Sequence, residues 1–218
     1  MARRAIPLAS LASARYLRLL EHHLFVRMTV PIAPLVLENR WVRLEPFAEN
    51  HRAGLAAYAE DADVWRYATQ APFEPWFDAS LEDLAAGRSL PFAVRRLRDG
   101  ILVGTSRYLN VALSHLRLEI GNTWYGPDAR RSTVNPAAKL LLMGHAFETL
   151  KLARVEFKVD ARNLASRAAM KKLGAVEEGI LRHHVRLPDG FLRDSVYFSV
   201  LAGEWPNVRR GLEARLAP

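Results

Sequence analysis

The sequence predicts an α+β fold built on a mostly antiparallel mixed sheet with one parallel strand pair, and three observations carry that prediction. Short segments of alternating apolar and polar residues are paired through tight turns at Asp99-Gly100 and Pro188-Asp189-Gly190, where glycine supplies the positive φ that strand turns require. A helical apolar pattern from Pro136 to Leu150 lies between two such segments. That arrangement is a strand–helix–strand crossover, which obliges the two strands it joins to run parallel in an otherwise antiparallel sheet. The 218 residues, 50% hydrophobic and 25% charged, suit a single soluble unit with a sizeable core.

Taken in order, Trp41 to Glu45 alternates Val42 and Leu44 with Arg43 and Glu45, a half-buried strand that ends at Pro46. His51 to Glu60 and Leu81 to Arg88 read as short helices, with the aromatic, proline-rich stretch Tyr67 to Phe77 as an irregular loop between them. Phe92 to Leu97 and Ile101 to Leu109 flank the Asp99-Gly100 turn, and Leu116, Leu118 and Ile120 alternate with Arg117, Glu119 and Gly121 in the next strand. Asn135 is expected to cap the crossover helix with Pro136 as its first residue, because proline's missing N–H costs nothing there. Val155, Phe157 and Val159 mark a strand, and a helix then runs from the cap Asn163 to the stop Gly174 with Ala165, Ala169 and Leu173 on one face. Val176 to Leu187 and Phe191 to Leu201 form the last hairpin, and a helix from about Glu204 to Arg215 follows.

Composition narrows the chemistry. The chain has no cysteine, which excludes disulfides, thiolate metal sites, iron–sulfur clusters and a cysteine nucleophile. It has no Gly-Xaa-Ser-Xaa-Gly elbow, P-loop, metalloprotease histidine pair or Rossmann glycine fingerprint, so hydrolase, kinase and dehydrogenase readings drop out. Adjacent His183 and His184 on a strand face opposite ways, and no metal is expected. No apolar run reaches the ~18 residues of a membrane span. Of the net charge of +8, half sits in residues 1–27, where Arg3, Arg4, Arg15, Arg18 and Arg27 face Glu21 alone. The remainder therefore does not demand a nucleic-acid partner. Residues 1–27 have the composition of a transit peptide, but the preferred reading is a basic N-terminal extension, either a mobile arm or the result of a start codon placed ahead of Met28. That leaves residues 28–218 as one domain and the cytoplasm as the default location.

Three stretches resemble motifs of one family: LEIGNTWYGPDARRSTVNPAAKLLLMGHAF, VEFKVDARNLASRAAMKKLGAVEEG and LPDGFLRDSVYFSVLAGEW. They are similar to the GCN5-related N-acetyltransferases, and among them to the RimJ and RimL type that acetylates N-termini of ribosomal proteins. The resemblance runs from about Leu35 to the end of the chain. It implies an α/β sandwich, the GNAT fold, with helices on both faces and the parallel central pair splayed at an acetyl-CoA site, acetyl-CoA being the co-substrate. It places the pantetheine against backbone groups of Asn122, Thr123, Trp124 and Tyr125, and the pyrophosphate in the loop Arg130, Arg131, Ser132, Thr133, Val134, Asn135. The family's loop reads Arg or Gln, two residues, Gly, one residue, then Gly or Ala. Here Thr133 stands in the glycine place and puts a Cβ where the backbone should approach phosphate closely, while Pro136 removes an N–H. Hydroxyls of Ser132 and Thr133 and the side chains of Arg130 and Arg131 are the replacement donors. Asn163 matches a family asparagine that contacts the cofactor or a bound water, a role compatible with capping.

Transfer to an amine needs a base for its proton and benefits from an acid for the departing thiolate. Glu119, mid-strand beside the expected divergence, is the candidate base; a surface glutamate paired with an arginine is the competing reading. Met170 occupies the place where many relatives carry a tyrosine acid, and Ser166, one turn earlier, is the candidate substitute. Proximity alone also supplies much of the acceleration. Trp41 and Trp205 read as packing residues, and Trp65, Trp76 and Trp124 as borders of the acceptor groove. The expected function is acetyl transfer from acetyl-CoA to a primary amine, either a protein N-terminal α-amino group or a small amine or amino acid, by direct attack in a ternary complex. An α-amino group, with a pKa near 8, is far easier to deprotonate than a lysine near 10.4, and is the preferred acceptor. The enzyme is expected to be a monomer or homodimer. The alternative, motivated by Thr133, Pro136 and Met170, is a catalytically weak protein that binds acyl-CoA or a partner. A basic RNA-associated module using residues 1–27 is a third reading, disfavoured by the charge of the remainder.

Overall fold

The structure is a computed structural model that describes residues 33–68 and 72–217. The expectation for residues 1–27 lies outside the described residues. Eight strands form one sheet: β1 Leu37–Glu38, β2 Val42–Pro46, β3 Leu90–Arg96, β4 Ile101–Ala112, β5 Arg117–Tyr125, β6 Arg154–Asp160, β7 Val176–Arg186 and β8 Leu192–Leu201. Their spatial order is β1-β2-β3-β4-β5-β6-β8-β7. Every neighbouring pair is antiparallel except β5 and β6, the pair joined by the crossover.

Helices cover both faces. On one lie α4 Val134–Gly144, α5 Leu164–Leu173 and α6 Trp205–Ala214. Their buried Ala138, Leu142, Leu173, Trp205 and Leu212 close over Val42, Leu44, Leu118, Ile120, Val155 and Phe198 of the sheet. On the other, α1 Arg52–Ala56, α2 Ala62–Trp65 and α3 Phe73–Ala85 gather Leu55, Phe73, Trp76 and Phe77 around Phe47, Ala93 and Leu102 in a second cluster. At ~25 cal/mol per Å² of buried apolar surface, these two clusters are the main stabilising force. Trp205 packs in the first cluster and Trp41 against it, while Trp76 belongs to the second and Trp65 and Trp124 pack against it, the three rings meeting tilted or edge-on at 5.5–6.2 Å between centroids.

Among the boundaries that differ from the sequence reading, two bear on how the site is built; the helix read as His51 to Glu60 is also shorter, Arg52–Ala56, with a separate turn of helix at Ala62–Trp65. The stretch assigned to an irregular loop as far as Phe77 turns helical at Phe73. Pro72 caps that helix and Pro75 falls in its first turn, where no N–H is needed, so the prolines start the helix rather than prevent it. Phe73, Trp76 and Phe77 then share one face and are buried together. The crossover helix likewise begins at Val134, not Pro136, with Thr133 at the cap position and Asn135 inside the first turn. Its cap bond comes from Ser132, whose Oγ accepts the Val134 N–H at 3.2 Å. Pro136, third in the helix, still falls among the four N–H groups that have no intrahelical acceptor. Beyond Gly144 the helix widens into a π-turn over His145–Thr149.

Candidate active site

The site is set by where the parallel ladder stops. β5 and β6 pair only as Arg117 with Arg154, Leu118 with Val155 and Glu119 with Glu156, after which the strands diverge. On its other side β5 stays paired to β4, but with one extra residue around Asn122, whose φ is +47°. Asparagine tolerates this left-handed conformation better than most residues, and the bulge it forms bends β5 away from β6. Asn122, Thr123 and Trp124 therefore border the divergence, and Tyr125 ends the strand in the core.

Glu119 is the last ladder residue before the gap, and its side chain is only 2% exposed. Asn110 Nδ2 donates to its Oε2 at 2.7 Å, and Lys158 Nζ stands 3.6 Å from the same oxygen. Asn110 too has a left-handed backbone, φ +47°, within the irregular stretch Leu109 to Ala112. Gly121 leaves room for the carboxylate, since a Cβ there would lie 3.0 Å from Glu119 Oε1. Asn110 and Glu156 both line an open groove of about 740 Å³, together with Arg117, Leu181 and Tyr197. Glu156 accepts from Arg154 Nε at 2.8 Å and from Arg117 at 3.4 Å. Burial raises the Tyr197 hydroxyl above its ordinary pKa, with the nearby Glu119 and Glu156 charges adding to it. His184 packs edge-on against Tyr197 at 5.8 Å, and burial, helped by Lys158 and Arg193, lowers its pKa. His183, at φ +49° in the β7 bulge, donates its backbone N–H to Asp194 Oδ1 instead.

The loop leading into α4 holds the other predicted group. Arg130 donates to the Tyr125 carbonyl at 2.9 Å and to the carboxylates of Asp61 and Asp63, so its guanidinium ties the loop to α2. Ser132 Oγ is also engaged, donating to the Ala129 carbonyl at 2.6 Å. Arg131, at φ +59°, and Thr133 are exposed. Among the described residues the N–H groups of Arg131, Thr133 and Asn135 have no acceptor. These donors, the Arg131 charge and the positive end of the helix dipole together match the needs of a diphosphate. Asn163 Oδ1 accepts the Ser166 N–H at 2.9 Å as the α5 cap, with Ser166 half-buried and Met170 buried one turn on.

Sequence reasoning passed over Lys139. It is only 4% exposed on α4, with Nζ 3.3 Å from Thr123 Oγ1 and 5.2 Å from the Phe157 ring centroid. Burial lowers its pKa to about 7. The signal was present: Lys139 lies one turn before Leu142 and Met143 on the apolar stripe of the helix. Asn110 left no comparable sign, because only the irregular register of β4 brings it to Glu119. Among the described residues no cluster of three metal-ligating side chains occurs and no helix is long and apolar enough to cross a membrane.

Residues 42–176 match the acetyltransferase (GNAT) domain family. A crystal structure from T. thermophilus, provisionally named an acetyltransferase, is 41% identical with a TM-score of 0.76, covering 85% of this chain and 98% of that one. A GCN5-related N-acetyltransferase from Brucella melitensis is 31% identical with a TM-score of 0.80, covering 86% and 88%. The Bacillus subtilis (strain 168) protein YdaF, provisionally named a ribosomal N-acetyltransferase, is 28% identical over 193 residues, 84% of this chain and 93% of that protein.

Proposed function

Because the chain belongs to the GNAT acetyltransferase family and is thus an acyltransferase, we propose that it moves an acetyl group from acetyl-CoA to a primary amine, with a protein N-terminal α-amino group as the preferred acceptor. The observation that carries this reading is the splayed β5–β6 pair, which has a buried carboxylate at its base and an open groove on the same face. When bound, acetyl-CoA supplies the activated thioester. Arg131 and the free N–H groups at the start of α4 would hold its diphosphate, and the unpaired edge of β5 from Asn122 to Trp124 would hold its pantetheine amides. Glu119 takes the proton of the attacking amine, directly or through one water. Its hydrogen bond from Asn110 fixes the carboxylate, and the groove beside it admits an extended peptide end. An α-amino group suits a single carboxylate base, because a substantial part of it is already neutral at physiological pH. The name of the YdaF relative favours a protein acceptor over a small amine. The enzyme is proposed to work in the cytoplasm.

Calorimetric titration tests the cofactor half of this reading. Wild-type protein is expected to bind acetyl-CoA in the micromolar range, and Thr133→Trp to lose that binding. Thr133 is exposed, so the indole fills the loop without entering the core. A wild type that binds no acetyl-CoA rules the reading out. The acceptor half is tested by thiol release with peptides bearing free or acetyl-blocked N-termini, where turnover is expected only with the free ones.

A further inference from the structure

Lys139 is a buried cation whose place the proposed chemistry has not yet used. Among the described residues no carboxylate pairs with it, and its only hydrogen bond goes to Thr123 Oγ1, which is in turn 2.7 Å from Ser106 Oγ. Burying an amine with so little compensation costs several kcal/mol in general, a cost that an apolar residue on this stripe would avoid.

Its position relative to the sheet is what gives it a function. Phe157 of β6 follows the last parallel pair directly and Thr123 of β5 lies past the bulge at Asn122, so the ammonium lies beside the stretch where the strands have separated. It is on the α4 face, with Leu118 and Ile120. Glu119, between those two residues on β5, projects to the opposite, groove face, because side chains alternate along a strand. A thioester threaded through the gap would thus have a carboxylate on the side from which the amine arrives and an ammonium on the side toward which sulfur departs. No other charge competes there among the described residues. The neighbouring strands β1 and β2 turn Leu37, Val42 and Leu44 toward the helix, and Arg209 of α6 is paired with Glu148 and Glu213.

Resting on the acetyl-CoA reading above, we propose that Lys139 is the general acid of the transfer, protonating the CoA sulfur from the helix face while Glu119 deprotonates the amine on the groove face. The amine lone pair forms the new C–N bond, and the C–S bond breaks with its electron pair going to sulfur. The nitrogen's proton passes to Glu119 and the Lys139 ammonium gives one proton to the thiolate. Solvent then restores both groups, leaving the amide and free CoA. A lysine whose pKa is lowered to about 7 is a stronger acid than an alkyl thiol, for which the cysteine side chain near 8.5 is the reference, and so is matched to protonate the departing thiolate.

The test compares wild type with Lys139→Met in the full chain. Methionine fills the same space, and the variant is not expected to unfold. The folded-state pKa of Lys139 is lowered from 10.5, so its burial cost is absent above that value and grows as the pH falls toward about 7, where the variant gains stability on the wild type. The variant's kcat is expected to fall about 100-fold or more with the KM for acetyl-CoA nearly unchanged. Free CoA bound to the wild type should develop thiolate ultraviolet absorbance at lower pH than CoA bound to the variant. Wild-type turnover in the variant, or an identical thiol titration in both proteins, overturns the proposal. A second reading needs only the wild type: the side-chain NMR signal of Lys139 must shift when CoA is added, and an unmoved signal overturns the assignment even if the variant fails to fold. Failure of the wild type to bind CoA would instead remove the acetyl-CoA reading and this inference with it.

Discussion

Replacing Glu119 by glutamine is expected to lower kcat by about 10²- to 10⁴-fold, the usual contribution of a positioned general base. Affinity for acetyl-CoA should stay within about threefold of wild type, because the cofactor contacts proposed above lie in the α4 loop and along the strand edge rather than on this carboxylate. Geometry makes the substitution clean. The glutamine carbonyl still accepts from Asn110 Nδ2, and Gly121 still leaves room for the head group, so packing is preserved while proton affinity is lost. Thiol release at saturating acetyl-CoA and peptide is the measurement. A Glu119→Gln enzyme that turns over at the wild-type rate would show that the amine loses its proton elsewhere, and the base assignment would fall.

The second large effect is structural. Gly104 stands opposite Tyr125 in the β4–β5 ladder, where a Cβ would lie 2.1 Å from the Trp124 carbonyl oxygen and 2.9 Å from Tyr125 Cα. Both obstacles are backbone and cannot rotate aside. Gly104 also has φ +155°, a conformation that side chains rarely adopt. Gly104→Ala must push β5 away from β4 at the end of the bulge that opens the β5–β6 gap, so stability and site geometry fail together. The expected loss is on the order of 3–5 kcal/mol, at the severe end for a single substitution. A urea transition detects it directly. An alanine variant within about 0.5 kcal/mol of wild type would mean that the two strands separate easily here.

Much of this architecture is legible in the chain because it is written in local chemistry. Asp99-Gly100 and Pro188-Asp189-Gly190 do form hairpin turns, Asn163 and Gly174 do bound α5, and the crossover does enforce the parallel pair. What resists reading is decided by distant partners. Pro72 and Pro75 look like loop residues until the burial of Phe73, Trp76 and Phe77 shows that they open a helix. The Arg130 guanidinium suits a phosphate contact in a linear motif, yet Asp61 and Asp63, far back in the chain, hold it. Glu119 stands out as a strand glutamate near an expected divergence. The amide that aims it arrives through the left-handed backbone of Asn110, which no periodicity announces. Lys139 is the opposite case, a lysine in an apolar helical stripe whose meaning emerges only when the strands beneath it are seen to part.

The strand order also bears on how the molecule assembles. From β1 to β5 each strand pairs with the next one along the chain, and β6, β8 and β7 form a second group in which β7 and β8 are a hairpin. The β3–β4, β4–β5 and β7–β8 hairpins are short-range contacts that form quickly, whereas the β2–β3, β5–β6 and β6–β8 pairings each close a long connection and carry a loop-entropy cost before any pairing compensates for it. Only three residue pairs of the backbone ladder join the two groups of strands, and Glu119 belongs to the last of them. The proposed reactive centre therefore lies on a seam of the sheet: the carboxylate, the gap and the buried amine acquire their relationship only when the two groups of strands pair. Mild destabilisation that reopens this short ladder would silence the enzyme while most of its helices and strands remained intact.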